Sequence, residues 1–200
     1  MGAFEELVYA RAREGILGIP EDVAADVYAL SFFHWVRSDD PRTAYLTVGY
    51  NTNARCRVCT PAPGQKPSWP IASDSQEAKW NYAFWLQEEG TACEVGNSPE
   101  DEAVRREWIE ANGLWYTDQE EDADIDRTLA LGSQIMPLFI RACVLVARRL
   151  HDDGTIVTKF ERPIPILVHE LEYYDQIAEA TTQANPPGLA AEFVGWIHSL

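Results

Sequence analysis

Residues 169 to 175 read HELEYYD, placing one histidine, three carboxylates and two tyrosines in seven positions. Side chains of these types can exchange protons with a substrate or hold a divalent cation. Glu170, Glu172 and Asp175, joined by acids from elsewhere, would then serve a metal-assisted hydrolase. Local geometry decides whether they can meet. In a strand, alternate side chains face opposite sides. Ile164, Ile166, Val168, Glu170 and Glu172 would share one face, and Pro165, Leu167, His169 and Leu171 the other. His169 and Glu170 would diverge and form no dyad. In a helix, His169 would lie over Glu172 and Tyr173. The apolar and β-branched run IPILVHEL favours the strand. Glu170 and Glu172 are then the expected ion-pair partners of Arg141, the single charge between Ile135 and Ala147.

Other chemistry-bearing patterns are incomplete. DQEEDADID, residues 118–126, has the carboxylate density of a calcium loop, but neither register supplies Gly at the sixth position and Glu at the twelfth. Its acids suit a helix N-terminus. Cys56 and Cys59 form a CxxC, and only the isolated Cys93 and Cys143 remain to complete a zinc site. The CxxC runs into a proline-rich segment, unlike a redox motif that opens a helix after a strand. GxSxG, Walker A, GxGxxG and HExxH are all missing, and His34, His151, His169 and His198 fall in different elements. No catalytic residue, metal ligand or cofactor is singled out.

Charge gives a stronger signal. The formal net charge is -16, and Glu88–Asp126 holds fourteen acids against Arg105 and Arg106. Such a field repels nucleic-acid phosphate and anionic membranes and attracts basic proteins. Aromatics flank it, and tryptophan and tyrosine beside acids suit recognition of a basic partner. The candidate partner-binding residues are Trp69, Trp85, Glu88, Glu89, Trp115, Tyr116, Glu120, Glu121 and Asp122. Burial of most tryptophans in the core is the competing reading.

The elements that must position these residues follow from periodicity and punctuation. FEELVYARAREGI has helical spacing, ended by Gly15, Gly18 and Pro20. Residues 26–37 and 43–52 read as a hairpin around SDDPR. Residues 53–75 carry four prolines and read as a long loop. A helix is expected from Ser75 to Glu89, and another from Pro99, capped by Ser98 and closed by Asn112-Gly113. The stretch from Asp122 to Gly154 is the longest helical pattern, with Pro137 a kink or a new start and 137–150 a buried central helix. Residues 155–161 and 164–172 read as strands, and two helices close the chain. The expectation is one α+β domain over residues 1–200, with an antiparallel sheet of about four strands packed by helices. The first 18 residues mix acids and bases unlike a signal peptide, and no unbroken apolar run reaches a membrane span. A cytoplasmic protein is expected.

The segments VGYNT, EAKWNYAFWL and PIPILVHELEYYDQIAEATTQANP resemble an uncharacterised bacterial family of unknown function, over roughly residues 20–185. In size and acidity the chain is similar to immunity proteins that neutralise secreted toxins. That resemblance implies a non-enzymatic interaction domain whose basic partner is a toxin, and it supplies no catalytic residue.

Overall fold

The structure, a computed structural model, describes residues 2–200. It is α+β, with a four-stranded mixed sheet. The strands are β1 (Val27–Arg37), β2 (Asp40–Thr52), β3 (Thr91–Val95) and β4 (Ile166–His169), in the order β3-β2-β1-β4. β1 and β2 form an antiparallel hairpin. Its turn residues Ser38 and Asp39 both have positive φ, at 53° and 58°. That backbone twist matches the twist of the flanking strands. β2 pairs with β3 antiparallel. β4 joins β1 in parallel, so the sheet is not purely antiparallel as expected.

Helices cover both faces. On one side α1 (Ala3–Gly18), α5 (Pro99–Ala111), α7 (Ile125–Asp152) and α8 (Thr155–Phe160) enclose a core with Leu30, Phe32, Leu46, Val48 and Val168 of the sheet. On the other, α4 (Ser75–Trp80), α9 (Asp175–Ala184) and α10 (Ala191–Ile197) bury Ala29 and Leu167 under Trp80, Trp85, Phe193 and Trp196. The short helices α2 (Glu21–Ala24), α3 (Asn53–Cys59) and α6 (Asp118–Ala123) complete the set. α1 lies close enough to β3 that a side chain at Gly15 would meet the Ala92 carbonyl at 3.0 Å.

Several expectations are corrected. Residues 155–160 form a helix, because Thr155, Ile156, Lys159 and Phe160 are buried at helical spacing while Val157 is half exposed. The strand expected over 164–172 is only Ile166–His169. The helix expected from Ser75 to Glu89 stops at Trp80, and two 3-10 turns lead into β3, which the sequence reading missed. The loop expected over 53–75 begins with α3, whose N-cap Thr52 accepts from the Arg55 amide.

α7 runs unbroken through Pro137. It buries a stripe including Ile135, Phe139, Cys143, Val146 and Leu150, and leaves Leu129, Arg141 and Leu145 exposed. It is therefore an outer-layer helix and not apolar on every side. By length and composition it also meets the requirement for crossing a membrane, its most apolar 18 residues having a mean hydropathy of 1.8. Core helices meet the same requirement.

β4 has a neighbour on one side only, and α9 lies along the other. Asn185, at the C-cap of α9, accepts from the Ile166 amide at 2.8 Å and donates to the Ile166 carbonyl at 2.7 Å. Thr181, one turn earlier, accepts from the Val168 amide at 3.1 Å and donates to its carbonyl at 3.2 Å. Two side chains thus satisfy a buried strand edge that would otherwise carry unpaired polar groups. Removing a partner from a buried backbone group costs about 1–3 kcal/mol. Asn185→Ala should lower the stability by roughly 2–4 kcal/mol in urea titrations. A loss below about 1 kcal/mol would show that the edge does not depend on this side chain.

Candidate functional site

The sheet face under α9 and α10 carries the chemistry. The β1–β4 register sets Phe33 opposite His169 and Ser31 opposite Leu167. His169 Nε2 lies 2.7 Å from Ser31 Oγ, and His169 Nδ1 lies 3.0 Å from the Glu170 carbonyl. The carbonyl can only accept, so Nδ1 carries the proton and Nε2 accepts from the serine hydroxyl. This is the hydrogen bond of a nucleophile to its base. It is sealed, however, since Ser31 is 0% and His169 1% exposed. A backbone carbonyl stands where a catalytic pair would have an orienting carboxylate. Burial pushes His169 down to about 4, so the ring is neutral.

The seal is a closed circuit of nine rings. Phe33 meets Tyr82, then Trp85, Tyr28, Trp80, Phe193, Trp196 and Tyr173 follow, and Tyr173 returns to His169 beside Phe33. Polar tips find acceptors or donors at its edge. The Trp85 indole donates to the Lys79 carbonyl at 2.9 Å, and Tyr173 accepts from the Tyr82 amide at 2.7 Å.

The strand ends at His169, so HELEYYD leaves the sheet after its first residue and the alternation expected through Glu172 does not apply to it. Glu170 turns away from His169, and its carboxylate accepts from the Tyr174 hydroxyl. Glu172 is exposed, and Asp175 lies 3.8 Å from His198. Among the described residues no three His, Cys, Asp or Glu side chains converge on one point. The hydrolase arrangement of Glu170, Glu172 and Asp175 therefore has no geometric basis. The expected ion pair of Arg141 with Glu170 and Glu172 is also corrected. Arg141 is exposed on α7, lines a groove with Glu179 and Tyr174, and has no carboxylate within 4.0 Å among the described residues. The helix presents it outward because the buried stripe of α7 lies on the opposite side.

An open groove of about 650 Å³ lies where the ring circuit meets the sheet's free end. Its floor is a cross-strand row, with Phe33 on β1 opposite Thr47 on β2, and Thr47 opposite Glu94 on β3. Tyr82 stacks on Phe33 with centroids 4.9 Å apart. Tyr45 and Trp85 line the sides, and Gln87, Glu88 and Glu89 form a rim on the turn before β3. Gln87 holds φ at 52°, a left-handed conformation that a side chain rarely adopts. No basic side chain lies within ion-pair distance of Glu88, Glu89 or Glu94 among the described residues. Arg55 is the one base in the lining, and its Nε donates to the Phe84 carbonyl.

The remaining acids of the segment are elsewhere, and Asp118, Glu120 and Glu121 among them are paired with arginines. Arg42 reaches Asp40 at 2.9 Å, Asp118 at 2.9 Å and Glu121 at 3.4 Å, with its guanidinium over the Tyr116 ring at 4.5 Å. Hydrogen bonds to these carboxylates hold its pKa above the ordinary range. Glu120 closes a capping box with Thr117 and meets Arg127 at 3.5 Å. Trp115 lies between the Arg42 and Arg106 guanidiniums, and Tyr116 is buried. Asp122 is exposed on α6. Trp69 is exposed and stacks on Phe84. Among the sequence candidates, only Trp85, Glu88 and Glu89 line the groove, and Trp85 is buried at 1% exposure. Phe33, Thr47, Tyr82 and Glu94 were missed, because a shared face across three strands is visible only once register is known.

Compared with family models, curated proteins and solved structures, the chain matches none.

His34 gives this region a second buried imidazole, on the opposite sheet face, with both ring nitrogens unpartnered among the described residues. Burial pushes it down to about 4 as well. Histidines titrate near 6.5 when unfolded, so each contributes stability present above that value and lost as pH falls toward 4. Between about pH 7 and pH 5 the loss should be roughly 2 kcal/mol per histidine. His34→Leu should remove about half of that slope in urea titrations. An unchanged slope in the variant would show that His34 does not titrate on unfolding.

Proposed function

We propose that this protein is a non-enzymatic interaction domain that binds a basic segment of a partner protein in the groove over Phe33, Thr47 and Glu94. The single observation that carries this reading is the division of the acidic segment. Asp118, Glu120 and Glu121 are matched by arginines of the same chain, whereas Glu88, Glu89 and Glu94 surround an aromatic floor with no basic partner within ion-pair distance among the described residues, Glu94 accepting only from the Asn97 side-chain amide at 2.9 Å. Carboxylates beside exposed rings favour cations, by charge and by the ring quadrupole. The overall charge of -16 would speed encounter with a basic partner over long range. The resemblance to immunity proteins names a secreted toxin as the partner class. Against an enzymatic reading stand the sealed Ser31–His169 pair and the dispersed carboxylates of residues 170–175.

The test uses a short peptide of mixed lysine and arginine, titrated calorimetrically. Its Kd should rise at least about tenfold between roughly 50 mM and roughly 500 mM salt. The triple variant Glu88→Gln, Glu89→Gln, Glu94→Gln should weaken binding about tenfold or more, and Glu120→Gln with Asp122→Asn by less than about twofold. Binding that ignores salt, or that is lost equally in both variants, would overturn the groove as the site.

A further inference from the structure

We infer that the groove takes an arginine side chain of the partner, its guanidinium lying against the Tyr82–Phe33 stack and donating to Glu94 and Thr47. This rests on the reading of the groove as a site for a basic segment, and adds which basic residue it selects. Three observations carry it.

The first is Thr47. It is 8% exposed, lines the groove, and its hydroxyl has no hydrogen-bond partner among the described residues. The hydroxyl is reached by solvent through the groove it lines, so a ligand donor can take the place of water there without breaking a bond within the chain. The second is the cross-strand row itself. Phe33, Thr47 and Glu94 are successive neighbours on one face, and such neighbours stand about 5 Å apart. A ring face, a neutral acceptor and a carboxylate in one line suit a planar cation with several divergent donors. A guanidinium has five such donors and a flat face, whereas an ammonium is a compact point charge.

The third is an internal precedent. Arg42 sits 4.5 Å over the Tyr116 ring while meeting Asp40, Asp118 and Glu121. This chain already holds an arginine with ring faces and several carboxylates together. The groove assembles the same ingredients from Tyr82, Phe33, Glu94, Glu88 and Glu89, and among the described residues no cation comes within ion-pair distance of these carboxylates. Arg55 stands at the rim with its Nε held by the Phe84 carbonyl.

The experiment is an NMR titration of the full chain with three capped amino acids: N-acetyl-arginine amide, its lysine counterpart, and the uncharged isostere N-acetyl-citrulline amide. The arginine probe should shift the amides of Phe33, Thr47 and Glu94 and bind at least about fivefold tighter than the lysine probe, with citrulline weaker than both. Thr47→Val keeps the shape and removes the hydroxyl, and should weaken the arginine probe about threefold; Glu94→Gln should weaken it about tenfold. Each variant's amide spectrum reports its fold directly. Lysine binding as well as arginine, or arginine binding unchanged in both variants, overturns the inference. If the basic peptide of the preceding section still binds with salt dependence in that case, the groove reads charge alone. If neither peptide nor probe binds, the functional reading falls with it.

Discussion

The outer edge of β4 is the constraint from which the rest follows. A four-residue parallel strand at the end of a sheet would leave a row of backbone donors and acceptors without partners in a buried place. Asn185 and Thr181 stand in for a fifth strand, taking the amide and carbonyl of both Ile166 and Val168. Their spacing of four residues places them on one face of α9, and alternate residues of β4 present their backbone to that face. The same helix then delivers Ile177 and Ala178 to one core and Ala180 and Ala184 to the other. With β4 held, His169 is delivered beneath the rings and Ser31 finds its partner.

That placement sets a serine and a histidine at hydrogen-bond distance where neither is open to solvent. Catalysis needs the serine to meet a substrate, and the ring circuit excludes one. The pair is instead a satisfied polar contact inside an aromatic cluster, where an unpaired hydroxyl would be costly. The rings at the open end of the same circuit, Phe33 and Tyr82, keep a face toward the groove. The cluster thus supports the core at one end and lines an open groove at the other.

Charge is handled in two different ways within one acidic stretch. Around α6 the carboxylates are gathered by Arg42 and Arg127, which dock that helix against the hairpin and α7. Exposed pairs of this kind contribute little singly, and Arg42 gains from being largely buried and shared among several acceptors. Around the turn that carries Gln87, Glu88 and Glu89, no base comes within ion-pair distance among the described residues, and Arg55 in the same lining has its Nε on the Phe84 carbonyl. Carboxylates held there repel one another modestly in water and attract a cation from solution. The left-handed backbone at Gln87 keeps them on the rim.

Local sequence was enough for elements whose own residues decide them. The β1–β2 hairpin and the cap of α5 at Ser98 follow from alternation, turn residues and capping, which act within a few positions. The acidity was likewise legible from composition. Tertiary structure decided the rest. TIVTKF became a helix because burial of Thr155, Ile156, Lys159 and Phe160 outweighed the strand preference of its β-branched residues. Arg141 faces water because the sheet took the other side of α7. Phe33, Thr47 and Glu94 lie 14 and 47 residues apart along the chain and become neighbours only through strand register. Register depends on pairings distant in sequence, and no local pattern encodes them.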